Sequence, residues 1–182
     1  MEHQIIISGF GGQGVLFAGQ LLAYAGLAEG KHVTWIPSYG PEMRGGTANC
    51  TVILSDEEIG SPQIRYPSAV IALNPPSLLK YAKLVKPGGC LVLDASLIDA
   101  RAGREDVREI AVRAKEIAEG LGYPQMANVV AIGALVAATG ALRMETVEDV
   151  LIAKTARKRP EMREPNLAAL RAGAAVATAT VH

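Results

Sequence analysis

Aromatic side chains are scarce in this sequence, at 4% of 182 residues, and only two cysteines occur. Those thiols, Cys50 and Cys90, form no CxxC pair and cannot supply the four ligands that an iron–sulfur cluster normally takes. They fit a cytoplasmic protein with reduced thiols. An excess of charge is also absent. With 18 basic and 18 acidic residues the formal net charge is zero, which argues against a nucleic-acid partner or an anionic membrane surface. The longest uncharged apolar run, Val129–Ala138, falls well short of the roughly 20 residues a membrane span needs. Met1-Glu2-His3-Gln4 lacks the basic flank and apolar core of a signal peptide. His3, His32 and His182 are scattered, with no partner at ligand spacing, so no metal site is expected.

What is present is aliphatic. Apolar residues reach 49%, mostly Ala, Val, Ile and Leu, in a chain long enough for one α/β domain with a sizeable core. Gln4–Ser8 reads as a buried strand, and a nearly all-apolar helix from Gly14 to about Glu29 follows, interrupted by Gln20 and ended by Gly30. A helix apolar all round is expected to be covered on more than one side. Val33–Ile36, stopped by Pro37, and Ala48–Leu54 read as consecutive strands with no helix between them, which predicts a mixed sheet. Further strands are predicted at Ala69–Leu73, Cys90–Asp94 and, at an edge, Val107–Val112. Helices are predicted from Asn74, with proline in the first turn, and near 114–121, 126–139, 145–156 and 165–178. The expected architecture is a three-layer α/β/α fold with a mixed sheet and a helical C-terminal region, residues 1–182 forming one unit.

Two glycine-rich segments carry the chemistry. Gly9-x-Gly11-x-x-Gly14 has the spacing of a dinucleotide fingerprint between a strand and a helix. The acid that should hold a ribose at the end of the second strand is missing: that strand ends Ile36-Pro37-Ser38, and the nearest acid, Glu42, lies within another loop. The motif is then a tight turn with close helix packing, whose amides at Gly11, Gly12, Gln13 and Gly14 are placed to cradle an anion. The second segment, Ser38–Gly46, sets Tyr39, Glu42, Met43 and Arg44 among Gly40, Gly45 and Gly46. Arg44 there either clamps a carboxylate or phosphate, or pairs with Glu42 or a neighbouring subunit. Cys50 and Cys90 lie in apolar strands, as buried small hydrophobes do. The basic run Lys154, Arg157, Lys158, Arg159 and Arg163, interleaved with Glu161 and Glu164, is a solvated face near a helix end or a contact for an anionic ligand or partner.

GFGGQG followed by AGQLLA, and then IPSYGPEMRGGTANCTVILSDEEIGSP, resemble the gamma component of 2-oxoacid:ferredoxin oxidoreductases. Weaker similarity continues through Asn74–Ser77, Asp94–Ser96 and Asn128–Gly133. The resemblance implies one subunit of an enzyme that converts a 2-oxoacid and coenzyme A to acyl-CoA and carbon dioxide while reducing ferredoxin. It implies alpha and beta partners, in some members a ferredoxin-like delta subunit. Thiamine diphosphate and iron–sulfur clusters would be held by those partners rather than by this chain. The loop form SYGPEMRGGTAN is more like that of 2-oxoglutarate or branched-chain members than the FGxERRGA of pyruvate members, which favours 2-oxoglutarate. The candidate cofactor-contacting residues are Gly11, Gly12, Gln13, Gly14, Tyr39, Glu42, Arg44, Gly45, Gly46 and Asn74, with no catalytic residue and no metal ligand.

Two rival readings remain: a free-standing nucleotide-dependent oxidoreductase, and a purely structural assembly subunit. The helix over 14–29 and the run Val129–Ala138 are expected to leave apolar surface uncovered, so that the chain self-associates without its partners. Arg44 is expected near the Gly11–Gly14 turn at the mouth of the sheet. The isolated chain is expected to show no oxidoreductase activity and to bind neither NAD, NADP nor FAD in a calorimetric titration. Micromolar binding of any of the three would favour the first rival.

Overall fold

The computed structural model describes residues 1–38 and 46–180. Six strands form one sheet in the order β2-β3-β1-β4-β5-β6. They span β1 (Glu2–Phe10), β2 (His32–Ser38), β3 (Thr47–Ser55), β4 (Ala69–Ala72), β5 (Cys90–Asp94) and β6 (Arg108–Val112). β1, β4, β5 and β6 run parallel, whereas β3 is antiparallel to both β1 and β2. The mixed sheet expected from two successive strands without a helix is therefore present. Its second strand is longer than expected and runs through Pro37, opposite Cys50. β2 is an edge strand, where a residue without an amide hydrogen is tolerated.

Alternation along the strands divides the core between two faces. Ile5, Ile7, Val52, Leu54, Ile71, Val92 and Ile110 point into one cluster; Ile6, Val70, Ala72, Leu91 and Leu93 point into the other. The first face is covered by α1 (Val15–Ala28), α3 (Ala114–Gly120), α4 (Ala127–Thr139), α5 (Met144–Thr155) and α6 (Arg163–Ala179). The second face carries α2 (Pro75–Tyr81) and the short turn that continues it. This is the three-layer arrangement with a helical C-terminal region that the alternating pattern predicts. Cys50 and Cys90 are buried, and burial pushes both thiols up to about 11. Among the described residues no helix is long and apolar enough to cross a membrane, and no group of three His, Cys, Asp or Glu is placed to hold a metal.

α4 corrects one expectation. Every residue from Asn128 to Val136 is buried, so the apolar run Val129–Ala138 leaves only Ala137 exposed and Ala138 half-buried. It lies between the sheet and α6, and the two helices meet at Gly133 and Gly173. A Cβ on Gly133 would overlap the Leu170 carbonyl, and one on Gly173 would overlap the Val130 carbonyl. Only hydrogen side chains permit this approach. At the far ends of both helices the half-buried Arg108 donates to the Ala138 carbonyl at 2.9 Å and the Ala177 carbonyl at 3.0 Å. One cation thereby satisfies the free carbonyls of two helix C-termini. α1 is covered by the sheet and by α4 and α5 but stays open on its outer side, where Tyr24 and Leu27 are more than half exposed.

Gly133→Ala should cost about 3 kcal/mol, the upper range for overpacking, because the added methyl meets backbone rather than a movable side chain. Gly60→Ala, with open space around the new methyl, should stay within about 0.5 kcal/mol of the unmodified chain. Urea denaturation of both variants measures the difference.

Candidate functional site

The C-terminal ends of β1, β4 and β5 open onto a cavity of about 240 Å³ whose walls include Gly12, Gln13, Leu73, Asp94, Lys115 and Gln125. The chain leaves β1 into α1 on one face and leaves β4, its parallel neighbour, into α2 on the other. Such a reversal at the carboxyl edge of an α/β sheet leaves a crevice where ligands bind.

Backbone geometry explains the glycines of the first motif. Gly12 has φ 90° and Gly14 φ 73°, both in the left-handed region that disfavours other residues. The Gln13 side chain fastens the turn at two points. Its Oε1 accepts from the Phe10 amide, and its Nε2 donates to the Leu73 carbonyl at 3.0 Å, tying the end of β1 to the end of β4. Asn128, in the first turn of α4, donates from Nδ2 to the Gly14 carbonyl at 3.1 Å. The Gly11 amide donates to the Gly46 carbonyl at 3.3 Å, so the closing stem of the second glycine loop meets the first turn.

The other predicted residues divide in two. Tyr39, Glu42, Arg44 and Gly45 lie outside the described residues, so the expected proximity of Arg44 to the turn has only the Gly46–Gly11 bond beside it. Asn74 is fully buried and caps α2, its Oδ1 accepting from the Ser77 amide at 2.9 Å. Its Nδ2 has no partner among the described residues, and the residue does not line the cavity.

The two charged residues at the cavity, Asp94 and Lys115, were not among the predicted ones. Asp94 ends β5 fully buried, accepting at Oδ1 from the Ser96 amide at 3.0 Å and the Lys115 amide at 3.4 Å. Lys115 opens α3 with an exposed side chain. The readable signal was an acid closing an otherwise apolar strand. Its role at the cavity depends on strand order, which the sequence does not print.

The electrostatics of this edge favour an anion. α1 and α4 both begin here, each without a side-chain cap and without an acid in its first turn. Uncapped N-termini present amide hydrogens and the positive end of the helix dipole. A dinucleotide fits less well. The parallel neighbour of β1 ends at Ala72 with no acid beside it, and β2, separated from β1 by β3, ends Pro37-Ser38. The nearest strand-end carboxylate is Asp94, two strands from the turn.

Known proteins resolve what kind of chain carries this crevice. The family model described as pyruvate ferredoxin/flavodoxin oxidoreductase matches residues 4–176. The chain belongs to that family. Over 136 residues it is 43% identical to the ketoisovalerate oxidoreductase subunit VorA of Methanothermobacter marburgensis, a match covering 75% of this chain but only 28% of VorA. The gamma subunit of a keto/oxoacid ferredoxin oxidoreductase from Geobacter sulfurreducens is 32% identical with a TM-score of 0.82, covering 97% of this chain and 99% of that one. A 2-oxoglutarate:ferredoxin oxidoreductase from Magnetococcus marinus, solved with 2-oxoglutarate, coenzyme A and succinyl-CoA bound, is 26% identical with a TM-score of 0.89. That match covers 98% of this chain and 31% of the Magnetococcus chain. Within the family the same module thus occurs alone and as about a third of a longer chain. The resemblance read from the glycine motifs is borne out.

Gln13→Ala would free both the Phe10 amide and the Leu73 carbonyl. The expected result is a loss of about 1–2 kcal/mol in urea denaturation. Hydrogen exchange should quicken at the Gly11–Gly14 amides and stay unchanged in β5.

Proposed function

We propose that this chain is the gamma-type subunit of a cytoplasmic 2-oxoacid:ferredoxin oxidoreductase with 2-oxoglutarate as its substrate. The assembled enzyme, with alpha and beta and in some forms delta subunits, converts the oxoacid and coenzyme A to acyl-CoA and carbon dioxide and passes two electrons to ferredoxin. Thiamine diphosphate and iron–sulfur clusters on the partner subunits supply the decarboxylation and electron-transfer chemistry. This chain's own donors do not fit a cluster: Cys50 and Cys90 lie on strands separated by β1 and β4, both buried with raised thiol pKa values.

The observation that carries the reading is the convergence of two uncapped helix N-termini and the Gly11–Gly14 turn on one crevice in a member of this family. Coenzyme A is a polyanion, and amide hydrogens fixed by Gln13 and Asn128 are suited to its phosphates. Coenzyme A is also bound in the Magnetococcus relative. The loop SYGPEMRGGTAN weighs against pyruvate, and that relative's 2-oxoglutarate supports the substrate against the ketoisovalerate named for VorA. Tyr39, Glu42, Arg44 and Gly45, outside the described residues, are the further residues assigned to substrate contact, with the Arg44 guanidinium as the partner of a carboxylate or phosphate.

One set of contacts favours a bracing role instead. Both functional groups of the Gln13 amide, the Gly11 amide and the Asn128 side chain are engaged within the chain. Steady-state kinetics of the reconstituted complex separate the two. Arg44→Ala should raise KM for coenzyme A or the oxoacid by roughly ten- to a hundred-fold, the equivalent of about 1.5–3 kcal/mol for one charge-assisted hydrogen bond, with assembly intact. Normal assembly with unchanged kinetics for both substrates would assign the loop to bracing.

A further inference from the structure

The outer side of α1 and the adjoining edge of the sheet form a surface that the crevice does not use. Tyr24 is 53% exposed and Leu27 56%. With Gln20, Val33 and Trp35 they line a groove of about 240 Å³ between α1 and β2. The whole chain has five tyrosines, two phenylalanines and one tryptophan. Phe17, Tyr24 and Trp35 nonetheless gather on this one side of the fold, and aromatic side chains are what protein interfaces enrich. Other exposed apolar residues, such as Tyr66 and Leu79, stand away from this groove.

Lys154 and Arg159 of the basic run adjoin the same surface. Lys154 at the end of α5 holds its Nζ 4.4 Å from the Tyr24 ring centre and 5.9 Å from that of Phe17. Phe17 and Arg159 share a second hollow with Met162. Glu161 pairs with Arg159 and Glu164 with Arg163, leaving Lys154, Arg157 and Lys158 without a carboxylate among the described residues. The result is an apolar strip with a positive border, on a chain whose formal net charge is zero.

Two observations decide what covers it. The border asks for acidic groups opposite, which a second copy presenting the same cations does not offer in a two-fold contact. In VorA and the Magnetococcus enzyme, moreover, the match covers 28% and 31% of one chain, so there a larger part of the same chain is covalently attached to this module. We infer that the outer face of α1, from the Tyr24–Leu27–Trp35 groove to Lys154 and Arg157, docks the larger subunit of the oxidoreductase through an apolar segment bordered by carboxylates. The inference rests on the subunit reading above.

The two parts of the surface predict different kinetics. Apolar anchors in a desolvated centre act on dissociation, and rim charges act on association and its salt dependence. Biolayer interferometry with the other chains of the complex from the same organism is the measurement. The Tyr24→Ala/Leu27→Asp double variant should dissociate about a hundred-fold faster, consistent with losing hot-spot contacts, with its melting temperature kept. The Lys154→Glu/Arg157→Glu variant should associate about ten-fold more slowly, an effect fading as salt rises. Leu79→Asp, on α2 across the sheet, should change neither rate. Hydrogen exchange on the unmodified chain adds a test without mutation: the amides of 20–27 and 33–36 should gain protection on complex formation. Normal assembly of the α1 variant, or no added protection, would overturn the assignment. So would a variant that abolishes self-association of the free chain while leaving the complex intact, because a second copy would then be the occupant. Failure of the unmodified chain to assemble would sink the subunit reading itself.

Discussion

The carboxyl edge of the sheet, with its candidate site, depends on how closely α4 lies against α6 and the sheet. Gly133 and Gly173 let the two helix backbones touch, and a methyl at either position would meet a carbonyl. That approach sets the axis of α4, and the axis sets where its N-terminus falls. Asn128 reaches the Gly14 carbonyl only because α4 is held this deep, and so the opening of α4 abuts the opening of α1. Packing of small residues, rather than any residue at the crevice itself, aligns the two amide-rich helix ends. In close-packed interiors such positions transmit strain instead of absorbing it.

The same geometry gives a neutral chain an electrically polar sheet. At the carboxyl edge of the parallel strands, α1 and α4 begin with no bond from the side chain of the N-cap residue and no acid in their first turns, although the Val129 amide is taken by the Asn128 Oδ1. At the opposite edge Arg108 occupies the carbonyls that end α4 and α6. One end is therefore satisfied by a cation, whereas at the other the described residues supply no N-cap side chain to either helix. Asp94 tempers the open end, although its Oδ1 is engaged with the amides of Ser96 and Lys115. A site of this kind suits phosphate or carboxylate groups and does not need a net positive protein to attract them.

Much of this was legible along the chain because the signals are local. The β-branched run Ile5-Ile6-Ile7, the glycines at 11, 12 and 14, and the Pro75-Pro76 opening of α2 each dictate backbone geometry within a few residues. Other features were hidden because they depend on distant partners. The Val129–Ala138 run reads equally as exposed or buried until α6 lies across it. Pro37 reads as a stop until β2 proves to be an edge strand. Asn74 reads as a ligand contact by its place in the motif, yet it is enclosed and capping a helix.

The sequence by itself determined the elements, the mixed sheet and the family, since periodicity, turn chemistry and the two glycine motifs are written in consecutive residues. Tertiary structure decided which side chains share a cavity. Asp94 and Lys115, from β5 and α3, join Gln13 only through strand order and helix packing, and Lys154 meets Tyr24 across more than a hundred residues of chain. Neither meeting leaves a spacing in the sequence, because each is set by close packing of elements that are far apart along the chain.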